Sequence, residues 1–191
     1  FKLFAQGVVG AIVPWNFPLM LLSWKVCPAL AMGNTVVLKP ATYTRLSALV
    51  FAEICAEAGL PPGVFNVVTG NGQFGESIAL HPDVDKVGFT GSTGIGRVLK
   101  RAIAGSGKKI SLELGGKSAN IIFADVDLER AVNDGIEDAM RNTGQACGGL
   151  TRMLVQRARL KEAEELAVHR ARAYRLGDPF DERTTLGPVV S

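Results

Sequence analysis

Two residues in the middle of the chain have the types and spacing that covalent acyl chemistry needs. Cys147 sits in the glycine-rich turn Asn142-Thr143-Gly144-Gln145-Ala146-Cys147-Gly148-Gly149, and Glu113 precedes it in Glu113-Leu114-Gly115-Gly116-Lys117. A thiol with small neighbours can be approached closely by a substrate, and a carboxylate can activate water. The pair indicates a thiol nucleophile whose product is released by hydrolysis. A single cysteine is more often a small buried hydrophobic residue. The other motifs of the chain are therefore needed to choose between a buried cysteine and a nucleophile.

Composition and charge limit the possible partners. The 191 residues are 47% hydrophobic and 20% charged, which is typical of a soluble globular chain. The Arg-rich stretch Arg152–Arg175 also contains Glu162, Glu164 and Glu165, which favours a solvated helix face and no nucleic-acid partner. No segment approaches the roughly 20 apolar residues that a membrane span needs, so no membrane partner is predicted.

Cysteine usage points to a reducing compartment. Cys27, Cys55 and Cys147 are widely spaced and form no pattern of zinc ligands, so no metal is predicted. An odd, sparse set of thiols favours the cytoplasm. Cys27 and Cys55 lie in apolar runs and are expected to be structural. The chain starts at Phe1, which indicates an internal segment or a processed chain.

Strand-like and helix-like segments alternate, which predicts an α/β fold: a Rossmann-like, doubly wound parallel sheet with helices on both faces. Thr44 and Asp127 are the predicted N-caps of two of its helices. A domain boundary is expected at 115–118. The predicted strands cover 7–13, 35–38, 64–68, 86–89, 109–114, 119–123 and 153–155. The predicted helices cover 23–32, 45–58, 74–80, 97–104, 128–141 and 160–174.

The carboxyl ends of the predicted strands carry residues suited to a ligand cleft, where ligands of such sheets bind. They are Pro14-Trp15-Asn16, Lys39, Gly70-Asn71-Gly72, Gly91-Ser92-Thr93-Gly94-Ile95-Gly96 and Glu113. Glycines let backbone N–H groups approach a phosphate at the start of a helix. The Gly91–Gly96 run departs from the usual dinucleotide fingerprint, so an ordinary strand–helix turn explains it equally well. Lys39 by itself is equally a solvated lysine at a strand end.

Six short motifs then occur in one order along the chain. They are Pro14-Trp15-Asn16-Phe17-Pro18, Trp24-Lys25, Lys39-Pro40-Ala41, Phe89-Thr90-Gly91-Ser92-Thr93, Glu113-Leu114-Gly115-Gly116-Lys117-Ser118 and Gly144-Gln145-Ala146-Cys147. Their order and spacing resemble those of the NAD(P)-dependent aldehyde dehydrogenase superfamily, from about Gly7 to Ser191. The resemblance implies a partial dinucleotide-binding domain at 1–116. It also implies the first part of a second α/β, catalytic domain at 117–191.

The resemblance also implies a role for each matching residue. Cys147 would attack an aldehyde to give a thiohemiacetal and then a thioester, and Glu113 would activate the water that releases the acid. Asn16 would stabilise the oxyanion together with the Cys147 backbone N–H. Lys25 would assist proton transfer, or equally neutralise a buried carboxylate. NAD or NADP would be the cofactor. The implied cofactor-binding residues are Ile12, Pro14, Trp15, Lys39, Thr42, Gly72, Gly91, Ser92, Thr93, Gly96 and Leu114.

Two positions refine the expected reaction. Family members that pass the acyl group to coenzyme A typically lack the base at Glu113, so water is the expected acceptor. Thr42 stands where many NAD-preferring members carry a glutamate, so NADP is expected to be tolerated. The substrate would be a small aldehyde, and the full-length form a dimer or tetramer. Because family subunits are longer than this chain, a non-catalytic nucleotide-binding fragment remains the alternative.

Overall fold

The chain folds into two compact units. The computed structural model describes residues 5–191, and the units are Phe1–Leu114 and Gly115–Ser191. The division falls at the start of the expected boundary region. The domain roles assigned to the two units stay predictions.

The first unit is built on a five-stranded sheet of order β3-β2-β1-β4-β5. Its strands are β1 (Val8–Ile12), β2 (Thr35–Lys39), β3 (Phe65–Val67), β4 (Lys86–Gly91) and β5 (Lys109–Leu114). Its helices are α1 (Pro18–Ala31), α2 (Leu46–Glu57), α3 (Gly72–Leu80) and α4 (Thr93–Ala102). All neighbouring strands are parallel, which confirms the predicted α/β fold. The strand order reverses between β1 and β4, and such sheets bind ligands beyond the carboxyl ends at that point.

Alternate side chains of β1 supply the two faces of the sheet. Val9 and Ala11 are buried in one apolar cluster with Leu22 and Val26 of α1. Ile12 belongs to a second cluster that contains apolar side chains of α3 and α4. Burying one such aliphatic side chain stabilises the fold by about 1.5–3 kcal/mol. Helices therefore cover both faces of the sheet, as the alternation of segments predicted.

Gly10 lets α3 approach β1 closely. A Cβ at Gly10 would lie 2.6 Å from Cγ2 of Ile78 and 3.3 Å from Cγ1 of Val84. Both neighbours are stiff, β-branched side chains. We therefore expect Gly10→Ala to lower the free energy of unfolding by about 1–3 kcal/mol in urea titrations followed by circular dichroism.

The matched control for that change is Gly94→Ala. A Cβ at Gly94, in α4, would meet no heavy atom within 4 Å. We expect this variant to keep the wild-type stability or to gain up to about 1 kcal/mol, because alanine favours a helix. Equal stability of the two variants would contradict the packing role of Gly10.

The second unit contains β6 (Ala119–Ile122), α5 (Leu128–Met140), β7 (Arg152–Val155) and α6 (Leu160–Arg172). Its two strands are parallel. Asp127 caps α5 as predicted, because its carboxylate accepts the Arg130 N–H at 3.2 Å. Within residues 5–191, none of the helices is long and apolar enough to cross a membrane.

Four helix starts differ from the sequence-based predictions. Helix α1 begins at Pro18, not Ser23, since a proline fits the first turn, where its missing N–H costs nothing. Thr44 is not a cap, because α2 begins at Leu46 after Arg45 and has no side-chain cap. Helix α3 begins at Gly72, where the Asn71 side chain accepts the Gln73 N–H. Helix α4 begins at Thr93, not after Gly96, because Ser92 caps it by accepting the Ile95 N–H. These corrections move boundaries and leave the topology unchanged.

Candidate active site and cofactor cleft

The parallel register brings several predicted residues to one edge of the first sheet. Ile12, the last residue of β1, is paired with Lys39 on one side and with Phe89 on the other. Gly91 and Leu114 end β4 and β5 as a pair. Pro14, Trp15 and Asn16 follow β1 after Val13 and are half-buried. These predicted residues therefore lie along one edge of the sheet in the first unit, and a ligand cleft there stays a prediction.

Lys39 is buried at this edge, with 6% of its surface exposed. Its Nζ donates a hydrogen bond to the Pro40 carbonyl at 3.1 Å, and burial lowers the pKa of its ammonium. The alternative of a solvated strand-end lysine is therefore wrong. An ammonium carries three N–H donors, so this bond alone does not exhaust its capacity. Lys39 is suited to hold an uncharged acceptor such as a ribose hydroxyl.

Thr42 links two of the loops that border the edge. Its hydroxyl donates to the Gly70 carbonyl at 3.4 Å, and Arg45 Nη1 donates to the Thr42 carbonyl at 3.2 Å. A guanidinium thus lies beside the position that the family resemblance connects with cofactor choice. The sequence reasoning missed Arg45. Its place three residues after Thr42, at the start of a predicted helix, was the available signal.

The turn before α4 has room for an anion. Ser92 caps the helix, and its hydroxyl accepts the Ile95 N–H at 3.4 Å. Thr93 is the first residue of α4. A Cβ at Gly94, in the first turn of α4, would meet no heavy atom within 4 Å. The same holds for Gly72, the first residue of α3. Helix N-termini favour negative groups, so this turn fits a phosphate.

Two other glycines of the predicted cofactor set have a packing reason of their own. A Cβ at Gly91 would lie 2.5 Å from the Phe89 ring. A Cβ at Gly96 would lie 2.6 Å from Cδ2 of Leu114, so Gly96 lets α4 approach the end of β5. Contact of Gly91 and Gly96 with a cofactor stays a prediction.

Lys25 and Glu113 interact within the first unit. Lys25 lies on α1 and is half-buried, whereas Glu113 lies on β5 and is exposed. Burial lowers the pKa of Lys25, the Glu113 carboxylate partly opposes this, and the Lys86 charge adds to the lowering. The carboxylate that acts on Lys25 is thus exposed, not buried as the structural alternative assumed. A lysine with a lowered pKa gives up its proton more readily.

Cys147 lies in the second unit, in the turn between α5 and β7, and its thiol is exposed. The alternative of a buried hydrophobic cysteine is therefore wrong. The turn begins with three left-handed residues, Asn142, Thr143 and Gly144, with φ values of 52°, 57° and 75°. This conformation costs about 1–3 kcal/mol at each non-glycine residue and persists only where surrounding contacts hold it.

Side chains of the turn and its neighbours provide such contacts. Thr143 donates to the Gly187 carbonyl at 3.3 Å, and Gln145 accepts the Val190 N–H at 2.9 Å. The Leu150 N–H donates to the Asp138 carboxylate at 2.8 Å. The sequence reasoning missed Asp138, because twelve residues separate the two partners and no local pattern connects them.

The two units divide the predicted site residues between them. Cys147 belongs to the second unit. The first unit holds Asn16, Lys25, Glu113 and the cofactor set Ile12, Pro14, Trp15, Lys39, Thr42, Gly72, Gly91, Ser92, Thr93, Gly96 and Leu114.

Comparison with known sequences decides the family. The sequence model described as "Aldehyde dehydrogenase family" matches residues 2–191. The chain belongs to the aldehyde dehydrogenase family. This aldehyde dehydrogenase chain is 50% identical over 186 residues to 3-succinoylsemialdehyde-pyridine dehydrogenase from a Pseudomonas species. The match covers 97% of the chain and 39% of that relative, so the chain spans about two fifths of the relative's length.

Solved structures of aldehyde dehydrogenases agree with this fold. A mutant of aldehyde dehydrogenase C from Pseudomonas syringae, complexed with NAD+ and octanal, is 47% identical with a TM-score of 0.95. That match covers 98% of the chain and 39% of the other protein. An NADP-dependent enzyme from E. coli is 44% identical with a TM-score of 0.94, over 98% and 39% of the two chains.

Proposed function

We propose that this chain is the cofactor-binding and catalytic part of an enzyme that oxidises a small aldehyde to a carboxylic acid with NAD or NADP. The observation that carries the proposal is the exposed Cys147 thiol in a glycine-rich turn of an aldehyde dehydrogenase family chain. The Lys25–Glu113 pair and the sheet edge with Lys39 support it.

The first unit has residues that fit a nicotinamide dinucleotide. Lys39 would hold the adenosine ribose through its ammonium donors, and the α4 N-terminus with Ser92 and Thr93 would receive the pyrophosphate. Other residues at the same edge would line the cofactor. They are Ile12, Pro14, Trp15, Gly72, Gly91, Gly96 and Leu114. When bound, the oxidised cofactor supplies the hydride acceptor.

The chain's own residues perform the remaining steps of the proposed reaction. The Cys147 thiolate forms a carbon–sulfur bond with the aldehyde carbonyl and gives a thiohemiacetal. The Asn16 amide and the Cys147 backbone N–H stabilise its oxyanion. After the carbon has lost hydride, a thioester remains. Glu113 removes a proton from the water that attacks it, Lys25 assists proton movement beside Glu113, and the acid leaves as the thiol is restored.

The test supplies wild-type protein with NAD or NADP and a panel of aldehydes. Cofactor reduction is followed by absorbance, and peptide mass spectrometry after an acid quench locates any acyl group. We expect aldehyde-dependent reduction of the cofactor and an acyl adduct on Cys147. A thiol that reacts with alkylating reagents without cofactor reduction would favour the alternative, a non-catalytic nucleotide-binding fragment. The fragment alternative is tested because the chain covers only 39% of the length of its Pseudomonas relative.

The whole protein is further proposed to be a cytoplasmic homo-oligomer, either a dimer or a tetramer. The sparse free thiols support a reducing compartment. Sedimentation of the full-length protein distinguishes the two oligomeric states.

Thr42 is proposed to permit NADP binding. In Thr42→Glu, the new carboxylate would repel a 2′-phosphate and accept hydrogen bonds from ribose hydroxyls. We expect kcat/KM with NADP to fall by about 10- to 100-fold relative to NAD, which is about 1.4–2.7 kcal/mol. Thr42→Gln, of similar length without the charge, should change the ratio little. A strong preference of the wild type for NAD would contradict the proposal.

A further inference from the structure

We propose that Asp138 is a positioning residue that anchors the backbone after the turn carrying Cys147. The inference rests on the proposed role of Cys147 as nucleophile. It adds a residue that the reaction scheme does not contain.

The Asp138 carboxylate contacts the residues on either side of the turn. Its Oδ2 accepts the Leu150 N–H at 2.8 Å, and its Oδ1 lies 3.5 Å from Nη2 of Arg141. Arg141 and Leu150 bracket residues 142–149. The bond to the Leu150 N–H holds the backbone that follows the turn, whereas the Arg141 guanidinium is 58% exposed and adds only a surface ion pair. The Asp138 side chain is 27% exposed, which limits competition from water. A hydrogen bond to an ionised acceptor is also stronger than one between neutral groups.

The turn between these ends needs such support. Asn142 and Thr143 are in the left-handed region, which non-glycine residues rarely adopt. Thr143 is β-branched, so its strain at this φ is larger than that of asparagine. Strain of this kind persists only when surrounding contacts over-determine the conformation. The bond from the Leu150 N–H to Asp138 is one of the contacts that hold the turn in this conformation.

Backbone hydrogen bonds link the two neighbours of Leu150 to each other and to Ala146, the residue before Cys147. The Gly149 N–H donates to the Ala146 carbonyl at 3.2 Å, and the Thr151 N–H donates to the Gly149 carbonyl at 2.9 Å. A Cβ at Gly149 would lie 3.3 Å from the Ala146 oxygen, so the turn is closely packed there. A displacement of Leu150 therefore moves the backbone of Cys147, whose N–H is the proposed oxyanion donor.

The expected effect is on the rate of the reaction at Cys147 and not on cofactor binding. Misplacement of a reacting group by about 1 Å can cost on the order of 100-fold in rate. The proposed cofactor residues belong to the first unit, whereas Asp138 belongs to the second. Loss of the Asp138 contacts should therefore lower kcat and leave the KM for the cofactor nearly unchanged.

The experiment compares Asp138→Ala with Asp138→Asn in the full chain. We expect Asp138→Ala to lower kcat by about 10- to 100-fold with the cofactor KM within about twofold of wild type. Asp138→Asn keeps an acceptor oxygen for the Leu150 N–H and should recover most of the rate. Hydrogen exchange of the Leu150 amide should quicken in Asp138→Ala and stay close to wild type in Asp138→Asn.

Asp134→Ala is the matched control, because Asp134 lies on the same helix and is exposed, 3.8 Å from Arg130. It should keep wild-type values in both measurements. If Asp138→Ala does not fold, Asp138→Glu replaces it. That variant keeps the charge, shifts the acceptor by one methylene, and should also lower kcat alone.

Three results would overturn the inference. They are wild-type kcat and Leu150 exchange in Asp138→Ala, an Asp138→Asn variant as slow as the alanine variant, and an equal loss in Asp134→Ala. If the wild type shows no turnover, the proposed function fails separately. The role of Asp138 is then tested by hydrogen exchange of the Leu150 amide and by the alkylation rate of Cys147 with iodoacetamide. If both values in Asp138→Ala equal those of the wild type, the positioning role of Asp138 is overturned.

Discussion

Cys147→Ser is expected to lower the rate of aldehyde oxidation by on the order of 10⁴- to 10⁶-fold. The thiol ionises far more readily than a hydroxyl, and loss of an enzyme nucleophile has effects of this size. The exposed position of the thiol means that the change removes little packing, so the variant should fold as the wild type does. The measurement is cofactor reduction with aldehyde, together with peptide mapping in search of an acyl adduct.

Cys27→Ser is the control for this change. Cys27 is also an exposed thiol, on α1, and it has no part in the proposed reaction. It should keep the wild-type rate, and its adduct should remain on Cys147. A Cys147→Ser variant with wild-type turnover would show that the thiol is not the nucleophile.

Glu113→Gln is expected to separate the two halves of the reaction. Steady-state turnover should fall by about 10²- to 10⁴-fold, because a general base contributes an effect of that order. Formation of the thioester does not need this base, so a first burst of reduced cofactor should remain. Quenched samples should then show the acyl group accumulating on Cys147. Rapid-mixing absorbance measures the burst, and peptide mass spectrometry measures the adduct.

Two further observations make the Glu113 result specific. Glu76→Gln, at an exposed glutamate of α3, should leave both phases unchanged. Because the Glu113 charge raises the pKa of Lys25, its removal should lower that pKa further. Loss of the burst as well as of turnover would place Glu113 in the acylation step and contradict the proposed role.

The topology of the first unit could be predicted from the sequence because alternating apolar segments constrain it strongly. Short apolar strands that alternate with helices favour a parallel sheet. In such a sheet, the carboxyl ends of all strands lie at the same edge. Lys39 was therefore expected at the edge where the first strand ends, and it is paired with Ile12, the last residue of β1. The start of α1 was missed because Pro18 was interpreted as part of a loop, although it occupies the first turn of the helix.

The support of the Cys147 turn could not be predicted in the same way. Asp138 and Leu150 are twelve residues apart, and the left-handed residues 142–144 lie in the backbone between them. Hydrophobic periodicity carries no information on a charged group bonded to a single backbone N–H. The exposure of Cys147 could not be predicted either, since a small residue among glycines fits a buried turn as well as an exposed one.

The bonds from the Cys147 turn to residues 187–190 make two distant stretches of chain one cooperative unit. Thr143 and Gln145 bond to residues 44 and 45 positions later, so neither stretch can open without breaking contacts of the other. Local unfolding in proteins proceeds in such linked groups. We therefore expect a binding event or substitution that loosens residues 187–190 to remove two of the contacts that hold the Cys147 turn. If Cys147 is the nucleophile, as proposed, its reactivity is expected to respond to changes in residues 187–190, which have no part in the proposed reaction.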